Sequence, residues 1–112
     1  MEFFYRAPGH PTRLGVLPGT FNPVTVAHCA LACAALVQVE EVVLVLPRVF
    51  PHKEYTGAPF EARVEMMRAA ARRNEPISAA VSENGLFVEI AAECRAAYGP
   101  QVELSFLCGR DA

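Results

Sequence analysis

"LGVLPGTFNPVTVAHCALACAALV", residues Leu14 to Val37, decides the fold. Leu14 to Leu17 is a short apolar run of the kind that forms a buried strand, and Pro18-Gly19 stops it. From about residue 25 to 38 the chain is rich in Ala and Leu with no breaker, and it reads as a helix. The link between them carries Gly19, Thr20, Asn22, Pro23 and Thr25, and His28 falls in the first turn of the helix. A strand that runs through a tight polar turn straight into a helix opens a βα unit.

The rest of the chain repeats that alternation. "VVLVL" (Val42 to Leu46) is an unbroken run, mostly β-branched, which suits a strand covered on both faces, and Pro47 ends it. "RVFPHKEYTGA" is a loop punctuated by Pro and Gly. Pro59 stands where a helix start tolerates it, and "PFEARVEMMRAAARRN" follows with Phe60, Val64, Met67 and Ala71 on one stripe. "ISAAV" (Ile77 to Val81) is a third strand, and "GLFVEIAAECRAAYG" is a helix closing at Gly99 with Pro100 beyond it. "VELSFLC" (Val102 to Cys108) is a fourth strand, and "GRDA" ends the sequence.

Alternating strands and helices without a hairpin signal predict an α/β fold, a Rossmann-like parallel sheet with crossover helices. Numbering the expected strands along the chain, the order is 3-2-1-4. Right-handed crossovers then put the first two helices on one face and the third alone on the other. The helix that is apolar all round from Cys29 to Val37 suits burial on more than one side. Either a partner chain covers these surfaces or the sequence is the front part of a longer protein, incomplete at its C-terminus; the second is the expectation.

Composition sets the outer limits. With 112 residues, 53% hydrophobic and 20% charged, the chain is globular and forms one domain or part of one. A net charge of −2 and a pI near 5.9 leave no electrostatic footprint for nucleic acid, while small anionic ligands need only local positive charge. Cys29, Cys33, Cys94 and Cys108 form no C-x-x-C pair. Cys29 and Cys33 stand one helical turn apart, so a metal or disulfide pair is conceivable, but they read as small buried hydrophobes on an Ala-rich helix, with no metal site. The opening "MEFFYRAPGHPTR" has no basic start followed by an apolar run, and no apolar stretch is long enough for a bilayer. The expectation is a cytoplasmic protein without a membrane partner; a homo-oligomer is left open.

In an open parallel sheet, ligands bind at the carboxyl ends of the strands where the order reverses. Here that point lies between the first and fourth strands, so the turn after Leu17 and "GRDA" converge on one crevice. Gly19 lets backbone N–H groups approach a phosphate, and Pro23 presets the backbone entering the helix. Thr25 and His28 are three apart, share one helix face, and sit at the positive dipole end. A hydroxyl and an imidazole there can donate to phosphate oxygens; the plainer reading of His28 is a first-turn residue packed under a loop. Lys53 offers a mobile charge for phosphate or is a solvated loop lysine. Asn22 forms an Asx turn or meets a metal-bound phosphate, and the turn is favoured. Asp111 accepts from ribose hydroxyls or caps a later helix, and Arg110 touches a phosphate or points outward. Arg68, Arg72 and Arg73 read as a solvated face.

"GTFNPVTVAH" resembles the G-x-F-[D/N]-P-x-[H/T]-x-G-H signature of the nucleotidyltransferase superfamily, with Thr25 and His28 at its two key positions and Ala27 where Gly is usual. "LPRVFPHK" resembles the L-P-x-x-x-P-P-H-K segment of bacterial nicotinate-nucleotide adenylyltransferases, with Phe50 in place of the first Pro and one residue fewer before it. "FEARVEMMRAAA" resembles the helix that follows there, and "FLCGRDA" the strand-end G-x-D-A motif, so the likeness runs over residues 14–112. It implies that residues 1–112 are a single nucleotide-binding α/β domain, the N-terminal part of a nucleotidyltransferase domain. It implies that Gly19, Thr20 and Phe21 lie along the nucleotides, that Thr25 and His28 hold the ATP phosphates, that His52 and Lys53 border them, and that Gly109 and Asp111 meet a ribose.

The implied reaction is adenylyl transfer from ATP, carried with Mg²⁺, to nicotinate mononucleotide. The substrate's own phosphate is the nucleophile, so no catalytic Ser, Cys or carboxylate base is needed. Two alternatives stand beside it: a transferase for phosphopantetheine, nicotinamide mononucleotide or a CTP-linked substrate, and a non-catalytic nucleotide-binding module. The family's second phosphate-binding signature, Ser/Thr-x-Thr/Ser-x-x-Arg, has no counterpart in these residues.

Overall fold

The structure is a computed structural model that describes residues 1–21, 25–48, 59–74, 76–83 and 85–107. Along the chain run β1 (Glu2–Tyr5), β2 (Arg13–Pro18), α1 (Val26–Ala35), β3 (Glu41–Pro47), α2 (Phe60–Arg73), β4 (Ile77–Ser82), α3 (Phe87–Tyr98) and β5 (Glu103–Phe106). The sheet order is β1-β4-β3-β2-β5. Its parallel part, β4-β3-β2-β5, is the 3-2-1-4 arrangement expected from the alternation.

β1 corrects the purely parallel picture. It adds an antiparallel edge strand to β4, with Glu2 opposite Val81 and Phe3 opposite Ala80. Aromatic residues favour strands, and here they reach both faces of the sheet: Phe4 and Tyr5 pack on the core that Met67 and Ala71 of α2 share, Phe3 on the core of α3.

The two faces carry separate cores. Leu17, Val42, Leu44, Leu46, Ile77 and Ala79 face α1 and α2, while Leu14, Val16, Val43, Val45 and Ala80 face Ile90 and Cys94 of α3. Alternate residues of one strand therefore serve opposite faces, which is why β3 is buried from end to end. Leu86, Phe87 and Val88, where α3 begins, remain exposed on the side that α3 covers alone.

Within this chain, helix α1 is covered on one side only. Ala32 alone among its residues is buried, Cys33 and Ala34 are exposed, and Val26 and Val37 are each 86% exposed. Alanine forms helix through low entropic cost, so an Ala-rich segment can be helical without being enclosed. The same fact corrects the reading of the cysteines: Cys94 is buried, Cys29 only half-buried and Cys33 exposed, while Cys108 lies outside the described residues.

Arg68 is also not part of a solvated face. Its Nε donates to the Phe4 carbonyl at 3.0 Å and its guanidinium pairs with Glu65, because the unexpected β1 lies beside α2. Arg72 and Arg73 are exposed, as expected. At the amino end of β3, buried Glu41 accepts from Ser78 Oγ at 2.8 Å and from the Tyr98 hydroxyl at 2.6 Å. That cluster ties β3, β4 and α3 together at the end opposite the crevice. No helix among the described residues is long and apolar enough to cross a membrane.

Candidate functional site

The register brings the carboxyl ends of β2 and β5 side by side: Val16 stands opposite Phe106, and the Leu107 N–H donates to the Val16 carbonyl at 2.8 Å. β2 then runs into Gly19-Thr20-Phe21. Asn22, His52, Lys53, Gly109, Arg110 and Asp111 lie outside the described residues.

Thr25 and His28 are brought together as a capping box. Thr25 is the N-cap of α1; its Oγ1 accepts from the His28 N–H at 3.4 Å, and His28 Nδ1 accepts from the Thr25 N–H at 2.9 Å. Such a box satisfies two N–H groups that a helix start leaves without partners. A nitrogen that accepts from a backbone N–H carries no proton, so the neutral ring holds its proton on Nε2. Thr25 Oγ1 lies 3.0 Å from Nδ1. The single lone pair of Nδ1 serves the backbone N–H, leaving the hydroxyl proton able to turn outward. The arrangement thus presents an Nε2–H and a hydroxyl at a helix N-terminus, the donor set an anion needs.

Burial pushes the His28 pKa below its ordinary 6.5, and protonating Nδ1 against the Thr25 N–H acts the same way. Below pH 6.5 the unfolded chain therefore binds more protons at this residue than the folded one. The stability that His28 lends is complete above pH 6.5 and is lost as pH falls toward its lowered pKa. Urea unfolding at about pH 7.5 and about pH 5.5 is expected to show the gap between wild type and His28→Ala narrowing on acidification. An equal gap at both values would show that the box does not govern this titration.

Phe21 is a core residue. It is 1% exposed, packs in the core beneath α1 and α2, and meets the His28 ring edge-on at 5.0 Å between centroids. Its φ of 45° is in the left-handed region, where a bulky residue is held only by its surroundings. Gly19 contributes space more than a donor: its own N–H donates to the Val45 carbonyl at 3.1 Å, and a Cβ there would sit 3.4 Å from the Phe21 ring.

Arg63 was not among the residues singled out from sequence. It is 1% exposed on α2, and its Nη1 donates to the Thr20 carbonyl at 2.6 Å. The signal was present, because residue 63 falls on the same helical stripe as Phe60, Val64, Met67 and Ala71. Arg63 thus holds the turn from one side while Phe21 supports the imidazole from below.

A family model described as cytidylyltransferase-like matches residues 16–112. The chain is 34% identical over 110 residues to a probable nicotinate-nucleotide adenylyltransferase of Moorella thermoacetica, covering 91% of this chain and 51% of that protein. It is 34% identical over 108 residues to one of Citrifermentans bemidjiense, covering 89% and 50%. Over a shorter span of 71 residues it is 41% identical to one of Rubrobacter xylanophilus, covering 60% and 33%. The chain spans about half the length of the first two of these curated relatives.

Proposed function

We propose that this chain, which belongs to the cytidylyltransferase-like family, serves adenylyl transfer from ATP to nicotinate mononucleotide, giving the dinucleotide and pyrophosphate. The observation that carries the reading is the Thr25–His28 box, which occupies Nδ1 and leaves the Nε2–H outside the box at the start of α1. The names of the relatives support the acceptor. On this reading residues 1–112 hold the nucleotide-binding part of the transferase domain.

In the reaction, a phosphate oxygen of the mononucleotide forms a bond to the α-phosphorus of ATP. The bond from that phosphorus to the bridging oxygen breaks, and its electron pair leaves with pyrophosphate. Little covalent work falls to the protein, so alignment and charge stabilisation carry the rate. The His28 Nε2–H and the Thr25 hydroxyl donate to phosphate oxygens that gain charge, and the α1 N-terminus adds its dipole. Lys53 and His52 supply further positive character along the phosphates, and Gly109 and Asp111 receive a ribose. Asn22 and Arg110 border the same phosphates, Asn22 chiefly by shaping the turn. Mg²⁺ enters with ATP as part of the substrate, neutralising the triphosphate.

Pyrophosphate release is the direct test. The chain is supplied with ATP and Mg²⁺ together with nicotinate mononucleotide, nicotinamide mononucleotide or phosphopantetheine in turn, and with CTP as the alternative donor. Release is expected to be fastest with ATP and nicotinate mononucleotide. Preference for another pair would reassign the substrate. A nucleotide-dependent rise in melting temperature without release under any condition would favour the non-catalytic module.

A further inference from the structure

Helix α1 carries a second chemical feature that adenylyl transfer does not use. Cys29 and Cys33 are four residues apart within Val26–Ala35, so their side chains share one face of the helix. Neither is in a disulfide; Cys33 is exposed and Cys29 half-buried. Cys29 also lines a cleft of about 480 Å³ between α1 and α2 together with Met66, Ala69 and Arg73. Met66 is 39% exposed and brings a thioether to the same cleft.

We propose that Cys29 and Cys33 form a dithiol site for a soft, thiophilic centre that bonds both sulfurs, with trivalent arsenic as the probe that defines it. The proposal is independent of the adenylyl-transfer reading. Geometry separates this chemistry from simple oxidation. A disulfide needs Cβ atoms about 3.5–4.5 Å apart, whereas a helix holds an i,i+4 pair at about 5–6 Å. Direct closure would therefore distort the start of α1. An atom inserted between the sulfurs lengthens the bridge and leaves the helix intact. Thiolate and thioether donors are the ligands that soft centres select.

The thiol environment is consistent with that use. Burial, and then the neighbouring Cys33, push the Cys29 thiol up, so that thiol rests protonated and slow to oxidise. With phenylarsine oxide the reaction needs no oxidant: two S–H bonds break, two As–S bonds form, and the two protons leave with the oxide oxygen as water. Arsenic remains trivalent. Cys94 is fully buried, which keeps it out of reach of the reagent in the folded protein.

The test uses the full chain as a Cys108→Ser variant, so that an aromatic disulfide reagent reports Cys29 and Cys33 in the native state. One equivalent of phenylarsine oxide is expected to remove both thiols from titration. The intact mass should rise by one arsenical less one water, with helix content retained. Cys29→Ser and Cys33→Ser should each weaken arsenical binding by about 10²-fold or more, the loss of a two-point attachment. Binding by either single variant as tight as the parent would overturn the proposal. So would both thiols remaining titratable, or closure of a Cys29–Cys33 disulfide under mild oxidant as readily as arsenical capture.

Discussion

Replacing His28 with alanine is expected to lower pyrophosphate release by about 10²–10³-fold, the usual cost of deleting one well-placed donor to developing charge. The loss should fall on kcat more than on KM, because the Nε2–H meets charge that grows in the transition state rather than in the ground state. The variant also gives up half of the capping box, since Nδ1 no longer accepts from the Thr25 N–H. Thr25→Ala also breaks the box and gives up its own hydroxyl donor, but it spares the imidazole. It removes the side-chain cap, at about 0.5–2 kcal/mol of stability, and leaves the imidazole in place. Steady-state kinetics beside urea unfolding should therefore place the two variants differently, His28→Ala worse in rate and Thr25→Ala comparable in stability. Turnover by His28→Ala at the wild-type rate would remove the imidazole from the chemistry and return it to a purely structural cap.

The strand order and the Thr25–His28 pairing were legible because each is written in a short local pattern. A β-branched run such as Val42 to Leu46 admits few arrangements, and a three-residue spacing at a helix start fixes a shared face. What escaped depends on contacts distant in the chain. Glu2-Phe-Phe-Tyr5 is too short to announce a strand, and its partner, β4, lies more than seventy residues away. Arg68 follows from that omission, since the carbonyl it meets belongs to Phe4. The cysteines failed for another reason: a habit of burial belongs to the residue type, whereas Cys33 falls on the exposed side of α1 with Ala30, Ala34 and Val37. Phe21 reads as a motif position in the sequence, yet its ring is part of the core. Arg63 stood in plain view on an apolar stripe, where an arginine is either a misfit or a buried donor with a partner.

That partner makes Arg63 the residue whose change should reach furthest. Arg63→Met keeps an apolar stem of fair length in the core but leaves the Thr20 carbonyl without its 2.6 Å donor. A hydrogen bond to a charged group contributes about 1.5–3 kcal/mol, and the half-buried Thr20 carbonyl is left without this donor, so a loss of about 2–3 kcal/mol is expected in urea unfolding. The consequence for the site follows from the order of the turn. Thr20 precedes Phe21, whose φ of 45° persists only while the neighbours hold it, and the Phe21 ring abuts the imidazole. Once the turn is released, Phe21 can relax to an ordinary φ and carry the ring contact away from His28. A displacement of about 1 Å is enough to cost on the order of 10²-fold in rate. Turnover measured at low temperature, where the variant is still folded, should fall accordingly. Arg63→Lys should restore little of it, because an ammonium lacks the planar fork of the guanidinium. Wild-type stability in Arg63→Met would mean that the Thr20 contact does not hold the turn. A destabilised variant with full turnover would mean that the turn holds its geometry through Phe21 alone.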